Sequence, residues 1–156
     1  MLNTIKNKLD PRPNAISLLK DDHREVEALF SAYQEARDKR RQKSIVLKIC
    51  EALEAHTKVE EKIFYPAIKQ KKDLADMVNE AVVEHAGAKK LIRELKNGSP
   101  ADELYDAKVT VLEEYIRHHV KEEESEMFPK VEATDLDLVE LGERMSAAKE
   151  RLLEAA

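Results

Sequence analysis

One cysteine, no tryptophan and three glycines are all that this 156-residue chain holds of those types. A lone Cys50 admits no internal disulfide, and on the inward face of a helix it reads as an inert core residue rather than a reactive thiol. So few glycines leave little of the turn chemistry that hairpins and sandwiches need. No apolar run exceeds a few residues, and Met1–Asp10 carries Lys6 and Lys8 with no apolar stretch behind them. Neither a spanning helix nor a signal peptide is expected, so the default is a soluble, cytoplasmic protein with no membrane partner. A sustained basic stripe is also missing: the net charge of -5 comes from acids and bases interspersed along the chain, which argues against nucleic acid as a partner.

Charged residues make up 38% of the chain, and Glu, Lys, Ala and Leu dominate it. That composition belongs to helices with solvated outer faces, and the length is one domain's worth, so an all-α fold is expected. Ile16, Leu19, His23, Val26, Phe30 and Tyr33 step by three and four, with Asn14 as the cap. Ile49, Leu53, His56, Glu60 and Phe64 form a second stripe, which Pro66 should kink or end. The third is Leu74, Val78, Ala81, His85, Ala88, Ile92 and Leu95, stopping at Asn97-Gly98. A fourth helix opens at Ser99-Pro-Ala-Asp102 as a capping-box-like start and carries Leu112, Ile116 or Tyr115, His119, Glu123 and Met127 inward before Pro129. A fifth, capped within Thr134–Asp137, has Leu138, Leu141, Met145, Ala148 and Leu152 as its stripe and offers no ligand. Short links make the first four an up-down-up-down four-helix bundle with an additional C-terminal helix. The layout expected is an N-terminal arm over 1–14, the bundle over 15–132 and the C-terminal helix over 133–156, packed on the bundle.

The histidines carry the informative pattern, because its core is written twice. His56-Thr-Lys-Val-Glu60-Glu61 has Pro66 ten residues after the histidine, and His119-Val-Lys-Glu-Glu123-Glu124 has Pro129 at the same offset. Asp22-His23 precedes the first copy and Glu84-His85 the second, so the unit repeats with a shift of about 62 residues. An imidazole and a carboxylate four residues apart on a helix point the same way, so each copy is half of a metal site.

A single histidine on an apolar stripe reads as a hydrogen-bonded core residue, and a Glu-rich helix as a solvated face. Glu60 and Glu123, however, share stripes with aliphatics, where an unpaired carboxylate costs several kcal/mol, and no Lys or Arg accompanies them there. A pair of divalent ions supplies the missing positive charge, with His23, His56, His85 and His119 as imidazole donors and Glu60 and Glu123 as carboxylates. Imidazole plus carboxylate suits Fe, Mn or Zn; it argues against Mg or Ca and against thiolate-bound zinc.

The pattern resembles the hemerythrin-like (HHE cation-binding) domain family over residues 15 to about 130. The resemblance rests on Leu18-Leu19-Lys-Asp-Asp22-His23, on His56-Thr-Lys-Val-Glu60-Glu61 with Phe64-Tyr65-Pro66, on Glu84-His85, and on His119-Val-Lys-Glu-Glu123-Glu124 with Phe128-Pro129. A ferritin-like Glu-x-x-His signature is absent, since Val82 and Ile116 precede His85 and His119 by three. The resemblance implies a di-iron centre with an oxo or hydroxo bridge, Zn or Mn being substitutes. In it His23 and His56 would bind one iron, His85 and His119 the other, and Glu60 and Glu123 would bridge. His118, with Glu122 four residues on, is a rival for the fourth position; the proline ten residues after His119 selects His119 and leaves His118 as a surface or neighbouring residue.

Oxygen-carrying hemerythrins have a second histidine four residues before the third-helix one, where this chain has Ala81. Its loss leaves the iron of His85 less filled unless Glu84, Glu61, a tyrosine such as Tyr115, or water enters, which puts pure reversible carriage in doubt. The resemblance thus implies a non-haem di-iron protein that binds or senses small ligands (O2, NO or peroxide), the alternative being an enzyme that consumes peroxide or NO. A zinc-stapled interaction module is a third, weaker reading.

Overall fold

The computed structural model describes residues 2–155, which are helical with no strand among them. The elements are α1 (Leu2–Leu9), α2 (Ala15–Glu35), α3 (Lys39–Val59), α4 (Tyr65–Lys69), α5 (Ala75–Asn97), α6 (Tyr105–Glu122), α7 (Phe128–Glu132) and α8 (Leu138–Glu154). Two π-helical turns, Glu60–Phe64 and Glu123–Met127, join α3 to α4 and α6 to α7. No helix among the described residues is long and apolar enough to cross a membrane.

Local chemistry explains most of the boundaries. The Asn14 side chain accepts the N–H groups of Ile16 and Ser17 at 2.9 and 3.1 Å while the Ser17 hydroxyl accepts that of Asn14, a closed capping box worth about 1 kcal/mol. Asp137 caps α8 by accepting the Glu140 N–H at 3.1 Å. The end of α5 is closed from outside, since the Lys43 ammonium donates to the carbonyls of Leu95, Lys96 and Gly98 at 3.0, 3.0 and 2.6 Å. Gly98 there is extended rather than left-handed.

One helix boundary departs from the sequence reading, and two further features were not read from it. The fourth long helix begins at Tyr105, not at Ser99, because Asp102 accepts the Ser99 N–H and Ser99 accepts that of Ala101, which closes a local turn instead of starting a helix. The arm expected over residues 1–14 contains a helix, α1, none of whose residues is buried and which makes polar contacts such as those of Asn3 with Asp135 and Asn7 with Leu136 and Leu138. Pro66, where a kink or an end was expected, and Pro129 both lie within helices that continue past them. A proline has no N–H for the carbonyl four residues back and its ring crowds that carbonyl. Here the preceding turn widens, so that the Tyr65 N–H bonds the Glu60 carbonyl and the Phe128 N–H that of Glu123, and the helix resumes to Lys69 and Glu132.

The stripes read from the sequence are buried except for Ile116, Ala148 and Leu152, which are half-buried; Tyr115 is 51% exposed, which decides between it and Ile116. They make two apolar clusters. One joins Ile16, Leu19, Phe64, Val78 and Met127 with Leu138, Leu141 and Met145 of α8, and the other joins Val26, Phe30, Ile49, Leu53, Ile92 and Leu112. Cys50 lies in the second cluster, where burial pushes its thiol up to about 11, in keeping with an inert core residue.

α8 packs on α2 and α3 through a close approach at Gly142. A Cβ there would lie 2.9 Å from Ala15 N and Asn14 C, both backbone atoms at the start of α2. Gly142→Ala should therefore destabilise the protein by about 1–3 kcal/mol despite the better helix propensity of alanine. Denaturant melts check this, and a variant as stable as the parent would mean that α8 moves away from α2 without penalty.

Candidate metal centre

Between the two apolar clusters lies a polar layer built of four imidazoles and two carboxylates. His23 comes from α2, His56 from α3, His85 from α5 and His119 from α6; all are buried, as are Glu60 and Glu123 at 0% and 1% exposure. The two carboxylates are the first residues of the two π-helical turns. Such turns concentrate at functional sites, and here each places a carboxylate one helical turn beyond its histidine, pointing to the same centre.

The outer nitrogen of every imidazole is held by a carboxylate of a neighbouring helix. His23 Nδ1 meets Glu124 at 2.7 Å, His119 Nδ1 meets Glu84 at 3.1 Å, His85 Nδ1 meets Glu61 at 2.8 Å and His56 Nδ1 meets Asp22 at 2.9 Å. These four bonds run round the layer as a closed belt. Three of the belt carboxylates are in turn held by a cation: Arg24 on Glu124, Lys89 on Glu61 at 2.8 Å, and Lys149 of α8 on Asp22 at 2.6 Å. Glu84 instead faces His118, 3.8 Å away. A carboxylate at Nδ1 fixes that nitrogen as the donor and leaves the Nε2 lone pair pointing inward, the usual support of a metal-binding histidine.

Inside the belt the Nε2 atoms and the two carboxylates converge. Glu60 Oε1 lies 3.0 Å from His56 Nε2 and 3.3 Å from His85 Nε2, while Glu123 reaches His23 through one oxygen and His119 through the other, both at 3.2 Å. Each carboxylate thus spans both histidine pairs. The pairs themselves repeat: the rings of His23 and His56 stand 5.0 Å apart at 62°, and those of His85 and His119 4.8 Å apart at 62°. Ligand atoms of His23, His56 and Glu123 lie within 4.8 Å of one another, as do those of Glu60, His85 and His119.

These separations are short, yet several of the atoms lack a hydrogen bond. His23 Nε2, His56 Nε2, both oxygens of Glu60 and Glu123 Oε1 are buried without an aligned partner. Buried polar atoms are nearly always satisfied, so lone pairs facing one another across a dry layer fit a cation between them. Electrostatics agrees. Burial opposes charging His56 and His119, but Glu60 and Glu123 outweigh it and raise the two imidazoles to about 10 and about 11. A proton on each supplies the positive charge that the donor set demands.

Six residues singled out from the sequence therefore meet in one layer, and His118 does not join them. Its side chain is 66% exposed and forms a separate group with Glu84 and Glu122. Glu61 and Glu84 bind imidazole Nδ1 from outside, and Tyr115 is exposed. The phenol that does reach the centre is Tyr65, which donates to Glu123 Oε2 at 2.7 Å and lies 3.3 Å from His85 Nε2. Burial, then Glu60 and Glu123, hold that phenol well above its usual range, so it stays protonated. The belt was missed in the sequence because its partners lie on different helices, although all four of its carboxylates stood inside the repeated motif. Lys149 left no sequence signal at all.

Comparison with known proteins agrees with this layout. A solved hemerythrin HHE cation binding domain-containing protein from Mycobacterium kansasii is similar over 92% of this chain and 89% of its own, with a TM-score of 0.77 and 25% identity. A protein named DNA nickase from Nostoc sp. is 27% identical over 118 residues, which are 76% of this chain but only 33% of that relative. The model of the hemerythrin HHE cation binding domain matches residues 14–131, a stretch that contains all six converging side chains, and the chain belongs to that family.

Proposed function

We propose that this protein is a non-haem di-iron protein that binds or senses O2 or reactive oxygen and nitrogen species in the cytoplasm. Its frame is an up-down-up-down four-helix bundle of α2, α3, α5 and α6 with α8 added. Contacts such as Asp22 with His56, Glu61 with Lys89, and Glu94 with Lys108 support that frame. The observation that carries the reading is the set of unpartnered, buried donor atoms on His23, His56, Glu60 and Glu123. His23 and His56 would hold one ion, His85 and His119 the other, with Glu60 and Glu123 shared between them. Bound there, a pair of irons would supply redox change and open positions for a small ligand. The chain's own part is to orient the imidazoles through the belt, to keep water out with the two apolar clusters, and to hold a proton on Tyr65 beside Glu123.

A second reading, an enzyme consuming peroxide or NO, is favoured by Ala81. That residue is 2% exposed and brings no ligand to the position one turn before His85. The DNA-nicking name belongs to a relative of which the matched region is one third.

The protein should take up close to two irons per chain after anaerobic loading, as read by metal analysis together with a near-ultraviolet charge-transfer band. Glu60→Ala and Glu123→Ala should lose dinuclear binding, whereas His118→Ala should keep it; equal loss in all three would mean that the wrong residues were assigned.

Metal binding must also displace protons. The imidazoles of His56 and His119 have folded-state values of about 10 and about 11, above the ordinary 6.5, so their stabilising effect on the metal-free protein is complete below pH 6.5 and is lost as pH rises through 10 and 11. Chelator-stripped protein should thus melt at progressively lower temperature above pH 6.5, while its affinity for Zn(II) rises over the same range. Melting curves with parallel zinc titrations decide this, and a pH-independent melting temperature would show the two imidazoles to be neutral without metal.

Ala81→His would place an imidazole one turn before His85 and fill the open position. The variant should keep its iron, autoxidise more slowly and lose peroxide turnover. Unchanged turnover and azide binding at unchanged iron content would show that the position has no bearing on the chemistry.

A further inference from the structure

A cavity of about 300 Å³ lies against the His layer on the side of the second apolar cluster. Its walls are Val26, Leu53, Ala88, Ile116 and Val120, its floor is the four imidazoles, and its rim is Val83, Gly87, Tyr115 and His118 between α5 and α6. A diatomic ligand needs little more than the roughly 30 Å³ share of one water, and a cavity of about 150 Å³ already takes benzene. This one is larger than O2 or NO requires and stands at the lower end of organic-ligand sites. Its lining is mostly apolar, with Asp22, Thr57 and Glu84 among the few polar members, and its floor is formed by the rings of the four histidines, so it favours an apolar body over a charged or polyhydroxy one.

The rim points the same way. Gly87 sits in the interior of α5, where glycine costs about 1 kcal/mol relative to alanine. Packing does not demand it, since a Cβ would meet nothing nearer than Tyr115 Cε2 at 3.5 Å. Its effect is to leave one position of the α5 rim, one turn after Val83, without a side chain. Val83 and Tyr115 beside it are 73% and 51% exposed and make the approach apolar.

We infer that this cavity binds an organic hydroperoxide with an apolar body of about ten non-hydrogen atoms, the O–O–H end directed at the imidazole floor. The inference rests on the di-iron reading and specifies its substrate. The balanced change is R–O–O–H + 2 e⁻ + 2 H⁺ → R–OH + H2O: the O–O bond would break, a ferrous pair held by the six converging residues would supply the two electrons, and solvent at the open mouth would give the protons. One turnover needs no further reductant.

Two probes test it on the iron-loaded protein. Cumyl alcohol, which cannot react, should bind the oxidised protein saturably in calorimetry, and cumene hydroperoxide should oxidise the ferrous protein in stopped flow. Gly87→Leu, a change that favours the helix, should weaken cumyl alcohol binding and slow the cumene hydroperoxide reaction by about tenfold or more, a loss of about 1.4 kcal/mol. Its iron content and its rate with hydrogen peroxide should stay as in the parent. Ala88→Phe, which fills the cavity from its wall, should do the same. No saturable binding of cumyl alcohol to the parent, or equal slowing of both peroxides in Gly87→Leu, overturns the inference. Failure of the di-iron reading would be seen separately, as iron well below two per chain in the parent, while the alcohol titration still decides whether the cavity takes an organic body.

Discussion

Two carboxylates held out of water constrain the rest of this protein. Glu60 and Glu123 are almost wholly buried between apolar clusters, where a carboxylate without a positive partner would cost several kcal/mol. Among the described residues their ion-pair partners are histidines, not lysine or arginine. The charge must come from protons on His56 and His119 or from bound cations, and the two alternatives compete for the same inward lone pairs. The outer belt follows from this need. A carboxylate on each Nδ1 makes the imidazole a better base and fixes its ring, so that the inner nitrogens converge whichever cation is present.

The geometry of that convergence depends on Pro66 and Pro129. In a regular helix a proline at these positions would crowd the carbonyl of Lys62 or Ser125; the widened turn ahead of it relieves the clash and lets the helix run on. Because adjacent residues on a helix point about 100° apart, the first acid of each pair faces the centre while the second reaches round to the neighbouring helix. Glu60 and Glu61 thereby meet opposite nitrogens of His85, and Glu123 and Glu124 meet opposite nitrogens of His23. One local motif, used twice, supplies both the inner donors and half of the belt.

The six converging residues were legible because their signals were local and repeated. His23 and His85 stand on apolar stripes of regular period, and the spacing from His56 to Glu60 recurs from His119 to Glu123. What escaped the sequence was non-local. Nothing in the period of α8 marks Lys149 as the partner of Asp22, since that contact depends on how closely Gly142 lets α8 approach α2. A proline reads as a stop unless the preceding turn widens, and no propensity announces that. At Ser99-Pro-Ala-Asp102 the capping residues were seen, but they close on one another, so the right side chains gave the wrong helix start.

The repeat is also imperfect in ways that give the centre two different sides. Tyr65 and Phe128 hold equivalent places before Pro66 and Pro129, so a phenol reaches the pair His85 and His119, whereas a phenyl ring stacks on His23 at 6.0 Å. On the α2 and α3 side, α8 covers the layer and Lys149 neutralises Asp22. On the α5 and α6 side Glu84 faces the exposed His118, and the apolar cavity opens between Gly87 and Tyr115. The protonated phenol falls on the half that carries His85 and His119, and the cavity mouth lies between α5 and α6, although its floor takes in all four imidazoles. A symmetric donor set thus sits inside an asymmetric shell, with α8 on one side and the cavity mouth on the other.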